Sequence, residues 1–212
     1  FTPKIESVGN DWYRISAFNN SSLVYSYIQL VSSKTAVWNE SWAMPNATDG
    51  VLIQDAQAEL GLVATSVIET GASTAQAGIL ENTPRLDYSG GATCPSLLLE
   101  PSRTNTFINS EYFAAWNSSN VSLTTNSITS PQGVVNASSL TDDAVNSRHR
   151  INVSDTFTSG TSYTVSVFVK KNSSNRFLLI NASTAFNARA ALNLDTLEIT
   201  NINGTEGKIE DY

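Results

Sequence analysis

The chain has 212 residues, 41% of them apolar and only 15% charged, with a formal net charge of −7 at pH 7. That length allows one large domain or two small ones, and so acidic a balance lacks the basic face that nucleic-acid binding needs. Ser, Thr and Asn supply about a third of the residues, a composition of turns, caps and strand faces that excludes long helical bundles and coiled coils.

The first predicted element is residues 12–19, Trp-Tyr-Arg-Ile-Ser-Ala-Phe-Asn, where aromatic and β-branched residues mix as they do in strands. Asn19-Asn20-Ser21-Ser22 reads as a turn and residues 23–31 as a second strand, so the two runs are expected to form a hairpin. Residues 38–50 are polar and irregular. Residues 50–60 read as a strand whose alternation sets Leu52, Gln54, Ala56, Ala58 and Leu60 on one face, with Val51, Ile53, Asp55, Gln57 and Glu59 on the other. From residue 71 the chain turns to small residues and is then punctuated by Pro84, Gly90-Gly91 and Pro95, which predicts an irregular linker over 71–104. Leu97-Leu98-Leu99 is a short apolar island.

Seven further strands are predicted, over 121–128, 134–140, 148–153, 161–171, 176–183, 188–195 and 197–202. Tyr163, Val165, Val167 and Val169 alternate with Thr164, Ser166, Phe168 and Lys170 most clearly. Turn signals separate the strands at Pro131-Gln132-Gly133, Ser159-Gly160, Asn172-Ser173-Ser174 and Asn203-Gly204. Many short strands at this spacing predict an all-β sandwich or barrel. No run of about 18 apolar residues is present, so no membrane insertion is expected.

Cys94 is the only cysteine and His149 the only histidine. An intramolecular disulfide is therefore excluded, as is a zinc site built from several His and Cys ligands of one chain. Cys94 lies in a turn-like stretch and is expected to be half-buried. His149, between two arginines, is expected to face solvent from a strand. Nucleophilic catalysis lacks a Gly-x-Ser-x-Gly elbow. Asp142 and Asp143, neighbours on an extended chain, are expected to point opposite ways, and Gln57 with Glu59 to form an internal polar bridge. No enzyme, cofactor or metal is expected, and Asp49-Gly50 offers a single carboxylate only. The eleven Asn-x-Ser/Thr sequons follow from composition in a chain without disulfides.

Glycan contact needs an exposed aromatic plate against the sugar's C–H face, with amides and carboxylates to read the hydroxyls. The segment Trp38-Asn39-Glu40-Ser41-Trp42 has that chemistry, and Trp38, Asn39, Trp42 and Asp49 are the expected glycan-binding residues. Trp12 and Trp116 are expected in the core.

The stretch Pro84-Arg85-Leu86-Asp87-Tyr88 followed by Cys94-Pro95-Ser96-Leu97-Leu98-Leu99-Glu100-Pro101-Ser102-Arg103-Thr104-Asn105 resembles a signature of tailed-bacteriophage virion proteins, above all tail fibres and head fibres or spikes. There it precedes a jelly-roll module of the carbohydrate-binding, concanavalin-like type. Ser110-Glu111-Tyr112-Phe113, Trp116 and the run from Ser159 to Lys170 resemble the opening and central strand of such a module. Gly9-Asn10-Asp11-Trp12-Tyr13-Arg14 and the run from Gly50 to Leu60 are similar to its last strands. The resemblance implies jelly-roll sandwich modules joined by an irregular linker. It also implies a structural and adhesive part of a virion appendage, partnered by copies of itself as a homotrimer, by other virion proteins and by host surface polysaccharide.

In this order the end of a module precedes the beginning of one. Phe1-Thr-Pro-Lys reads as an internal cut, and Lys4-Ile5-Glu6 recurs as Lys208-Ile209-Glu210, as in a window taken from a tandem array. Residues 1–70 and 105–212 are thus expected to belong to successive modules, each completed by another module or chain. The other arrangement is a single sandwich closed as a circular permutation.

Overall fold

The computed structural model describes residues 2–19, 25–31, 50–77, 86–87, 94, 96–97, 102–143, 145–155, 157–158, 160–172, 177–182 and 189–201. In chain order the strands are β1 (Thr2–Gly9), β2 (Trp12–Asn19), β3 (Tyr25–Val31), β4 (Gly50–Leu60), β5 (Ala75–Ala77), β6 (Leu86–Asp87), β7 (Ser96–Leu97) and β8 (Arg103–Asn105). They continue with β9 (Asn117–Ser119), β10 (Val121–Thr129), β11 (Val135–Asp142), β12 (His149–Ser154), β13 (Tyr163–Lys171), β14 (Phe177–Ala182), β15 (Arg189–Asn193) and β16 (Ile199–Asn201). The one helical element among the described residues is a single 3-10 turn at Phe113–Ala115.

Two six-stranded antiparallel sheets form the body, one in the order β1-β2-β13-β4-β11-β10 and the other β16-β15-β14-β3-β12-β9. The all-β sandwich read from the strand pattern is the fold observed. Alternation builds its core. Val165, Val167 and Val169 of β13 face inward with Ile15 of β2, against Ile28 of β3 and Ile151 of β12 from the opposite sheet. Each such aliphatic side chain contributes about 1.5–3 kcal/mol on full burial. Phe107, Phe113 and Trp116 join this core edge to face, with Trp116 ring centroids 5.6 and 5.1 Å from the two phenylalanines.

The hairpin expected between residues 12–19 and 23–31 is not formed. Both edges of β2 are taken, by β1 and β13, so β3 pairs instead with β12 and β14 in the other sheet. The hairpin that exists joins β1 to β2 through Asn10 and Asp11, at φ 53° and 60°, the left-handed pair of a tight two-residue turn.

Strand β4 departs from strict alternation at Asp55, which has a φ of 50°. There the register to β13 slips, so that Gln54 opposes Phe168 while Gln57 opposes Ser166. This bulge turns the sequence pattern over. Val51 and Ile53 before it and Ala56 and Ala58 after it all face the core, leaving Leu52, Gln54, Gln57 and Glu59 on the outer face.

Residues 1–70 and 105–212 pair with each other in both sheets. β13 lies between β2 and β4, β11 pairs with β4, and β3 lies between β12 and β14. This corrects the expectation that the two parts belong to successive modules: each supplies strands that would otherwise leave open edges in the other, as in the circular-permutation arrangement. Nor does 71–104 link two separate bodies. β5 pairs with β8, which sets Ala77 beside Arg103, and β6 pairs with β7.

On the β11 side of β4, strand pairing runs only from Gly50 to Ile53. Beyond it the strap 105–110 occupies that edge: Ala56 N donates to Ser110 O at 2.9 Å and Thr106 N to Ala58 O at 2.8 Å. Gly50 is required where the two strands begin to pair. A Cβ there would stand 2.2 Å from the Leu140 carbonyl oxygen and 3.0 Å from Thr141 Cα, both backbone atoms. Gly50→Ala is therefore expected to cost about 2–3 kcal/mol, measured by urea unfolding; a loss below about 0.5 kcal/mol would show that the β4–β11 ladder yields freely.

Candidate functional site

Trp38, Asn39, Trp42 and Asp49 lie outside the described residues. The roots of their segment are described. β3 ends at Val31 and β4 begins at Gly50, while Leu30 is paired with His149 and Gly50 with Thr141. Both roots therefore stand at the end of the sandwich where β11 passes to β12. Trp12 and Trp116 are buried as expected, their indole N–H groups donating to Thr129 O and Ile108 O, each at 3.1 Å. Cys94 differs from expectation: it is exposed, next to a two-residue strand whose Leu97 is also exposed.

The outer face of the first sheet carries a buried polar array under loop 61–70. Gln57 Nε2 donates to Glu59 Oε1 at 2.7 Å, the internal bridge read from the sequence. Thr65 completes the Glu59 carboxylate through its N–H and hydroxyl, both at 2.7 Å. Gln57 Oε1 accepts from Ile68 N at 2.8 Å, and Arg14 donates to Thr65 O at 2.5 Å and Ser166 Oγ at 3.0 Å. These groups fasten the loop, and their bonds meet most of what burial demands, Arg14 Nε being the atom of the array left without a partner.

Beside this array the bulge at Asp55 gathers acids and amides from four segments. Gln54 Nε2 donates to Asp55 Oδ1 at 3.0 Å and to Glu111 Oε1 at 3.1 Å. Gln132 Nε2 reaches Glu69 Oε1 at 3.1 Å and Asp55 Oδ2 at 3.4 Å. Asn136 Nδ2 donates to Glu111 Oε1 at 3.1 Å. Burial first, and then the negative charge of Glu111, push the Asp55 carboxyl up to about 7. Burial and a nearby like charge both disfavour the ionised form, so Asp55 keeps its proton to near neutrality. Asp55 is only 2% exposed, so it lacks the access to a substrate that a glycosidase acid needs.

The rim of the cluster does reach solvent. Glu69 and Gln132 are exposed, and Tyr112, next in sequence to Glu111, is 58% exposed. An aromatic side chain in sequence beside acids and amides is the same chemistry sought at Trp38. By its resemblance Ser110-Glu111-Tyr112-Phe113 is expected to open a module, with no surface role implied. The exposure of Tyr112 is a feature that no residue pattern displays.

His149 also differs from expectation. It is 0% exposed, and because β12 alternates, it faces inward with Ile151 while Arg150 takes the outer face. Its Nδ1 lies 2.7 Å from Asn120 O, 3.4 Å from Asp142 Oδ1 and 3.5 Å from Asp143 Oδ1. The two aspartates, expected to diverge, converge on one imidazole because β11 ends at Asp142 and the chain bends there toward the other sheet. Compared with protein-family models, curated proteins and solved structures, the chain finds no match.

Proposed function

We propose that this chain is a structural module of a bacteriophage virion appendage, a tail fibre or a head fibre or spike, which presents a jelly-roll sandwich to host surface polysaccharide. What supports the reading is one conjunction. The segment from Pro84 to Asn105, which resembles the virion signature, runs directly into a two-sheet antiparallel sandwich, and Asn105 at its end is bonded into β4. The module acts as a homotrimer with other virion proteins, on the extracellular particle, without cofactor or catalysis. Trp38 and Trp42 are the plates for sugar C–H faces, and Asn39 and Asp49 read hydroxyls.

The test is binding of the intact chain to an array of host capsular and lipopolysaccharide glycans. The expected result is saturable binding that falls about tenfold or more, some 1.4 kcal/mol, in Trp38→Ala and Trp42→Ala. Retention in both would remove that site, and loss confined to Tyr112→Ala would move it to the Glu111 rim. A folded trimer that binds nothing on the array would make the module a spacer. Release of reducing ends from the glycan would make it a polysaccharide-degrading enzyme.

A further inference from the structure

Among the described residues, one group of three His, Cys, Asp or Glu side chains has its ligand atoms within 4.8 Å of one another: Asp142, Asp143 and His149. Asp142 pairs with Val121 in the first sheet and His149 with Leu30 in the second, so the two side chains meet across the end of the sandwich. Asn120, at a φ of 52° in the turn between β9 and β10, brings its carbonyl to the same imidazole nitrogen. Its side chain holds the neighbouring backbone, with Nδ2 donating to Arg148 O at 3.0 Å. Two crossovers between the sheets, β9 to β10 and β11 to β12, are thus gathered on one nitrogen.

We propose that this cluster is a binding site for a first-row divalent transition ion, Zn²⁺ above all, that clamps the two sheets at this end. With metal–ligand bonds of about 2.0–2.2 Å, neighbouring ligands around a tetrahedral ion stand about 3.4 Å apart. Nδ1 already lies 3.4 and 3.5 Å from the two carboxylate oxygens, the spacing of neighbouring ligands, whereas Asn120 O, 2.7 Å from Nδ1, has to draw back as the ion enters. The donors are one imidazole nitrogen, two carboxylates and, as a fourth, the Asn120 carbonyl. A nitrogen with oxygens suits zinc and its neighbours, whereas Ca²⁺ and Mg²⁺ favour all-oxygen shells. Ligation uses the Nδ1 lone pair, so the imidazole proton that faces Asn120 O passes to Nε2, and the carbonyl is released to turn toward the ion. The roots of segment 32–49, Val31 and Gly50, adjoin these strands, and the clamp fixes the ground from which that segment rises.

The experiment uses the whole chain stripped of metal. His149 is its only histidine, so its imidazole ¹⁵N resonances report this site alone. Zinc is expected to bind one equivalent, to move both ring nitrogens as Nδ1 becomes the ligand and Nε2 takes the proton, and to raise the unfolding temperature. Co²⁺ is expected to give visible absorption in the same stoichiometry, and Ca²⁺ to bind at least tenfold more weakly than zinc. Asp143→Asn, with its side chain at the rim and 32% exposed, is expected to weaken zinc at least tenfold while the metal-free protein unfolds at an unchanged temperature. An unmoved His149 resonance at saturating zinc, equal affinity in Asp143→Asn, or calcium binding as tight as zinc would each overturn the assignment.

Discussion

Replacing Asn105 with alanine is expected to lower the unfolding free energy by about 3–5 kcal/mol, and the midpoint of thermal unfolding by roughly 10 °C or more. The side chain is fully buried and stands in for a missing strand. Its Oδ1 accepts from Ala58 N at 3.0 Å and Phe107 N at 3.1 Å, and its Nδ2 donates to Ile68 O at 2.8 Å and Ala56 O at 3.3 Å. Truncation strips a partner from four backbone groups at once, and each unsatisfied buried group costs about 1–3 kcal/mol where water cannot replace the lost bond. The bonds tie three segments together: the outer half of β4, the end of loop 61–70 and the strap leading to Phe107. Asn105→Asp keeps the acceptor but removes both donations and buries a charge, so it is expected to be no milder. Thr104→Ala, one residue earlier and paired with Gln76 at the surface, serves as the control and is expected to stay within about 0.5 kcal/mol. Guanidinium unfolding of the three variants checks this; an Asn105→Ala loss no larger than that of Thr104→Ala would mean the strap holds without the amide.

Period-two patterns carried most of the fold. Tyr163 to Lys170 reads as a strand from its valines alone, and six other strands beyond residue 120 lie where turn residues bracket them. What the pattern could not show was partnership. Residues 12–19 and 25–31 look like a hairpin because they are adjacent, yet β2 has both edges filled by strands distant or preceding in the chain. The same blindness made residues 1–70 and 105–212 look like pieces of different modules. The bulge at Asp55 was hidden because one left-handed residue leaves no trace in a run of alternating side chains. His149 and Asp142 were misjudged for a related reason: polar residues at strand ends can face inward when two crossovers converge. Gln57 and Glu59 were readable because two polar residues two apart on one strand share a face wherever the strand lies. Trp38, Asn39, Trp42 and Asp49 remain a chemical reading of a segment outside the described residues.

Asp55→Asn is expected to change the pH dependence of stability more than any other single substitution at the acid cluster. Burial and the Glu111 charge raise the folded-state Asp55 carboxyl from 3.8 to about 7. Between those values the folded chain holds a proton that the unfolded chain has lost, so ΔG of unfolding falls as pH rises through the window. The stabilisation is fully present below about pH 4 and is gone above about pH 7, a swing on the order of 4 kcal/mol at 1.36 kcal/mol per unit. Asparagine imitates the protonated acid. It is uncharged, it never ionises, and it tolerates the φ of 50° at this position. The variant is therefore expected to match the parent near pH 4, to exceed it by a few kcal/mol at pH 8, and to show a flatter profile between. Asp55→Ala removes the charge as well, but it takes a left-handed backbone that alanine resists and takes away the carboxyl that accepts from Gln54 and Gln132, so it is expected to lose stability at every pH. Urea unfolding of the parent and both variants from pH 4 to 8 checks this. Parallel profiles for parent and Asp55→Asn would mean that Asp55 ionises in the folded chain as it does in the unfolded one.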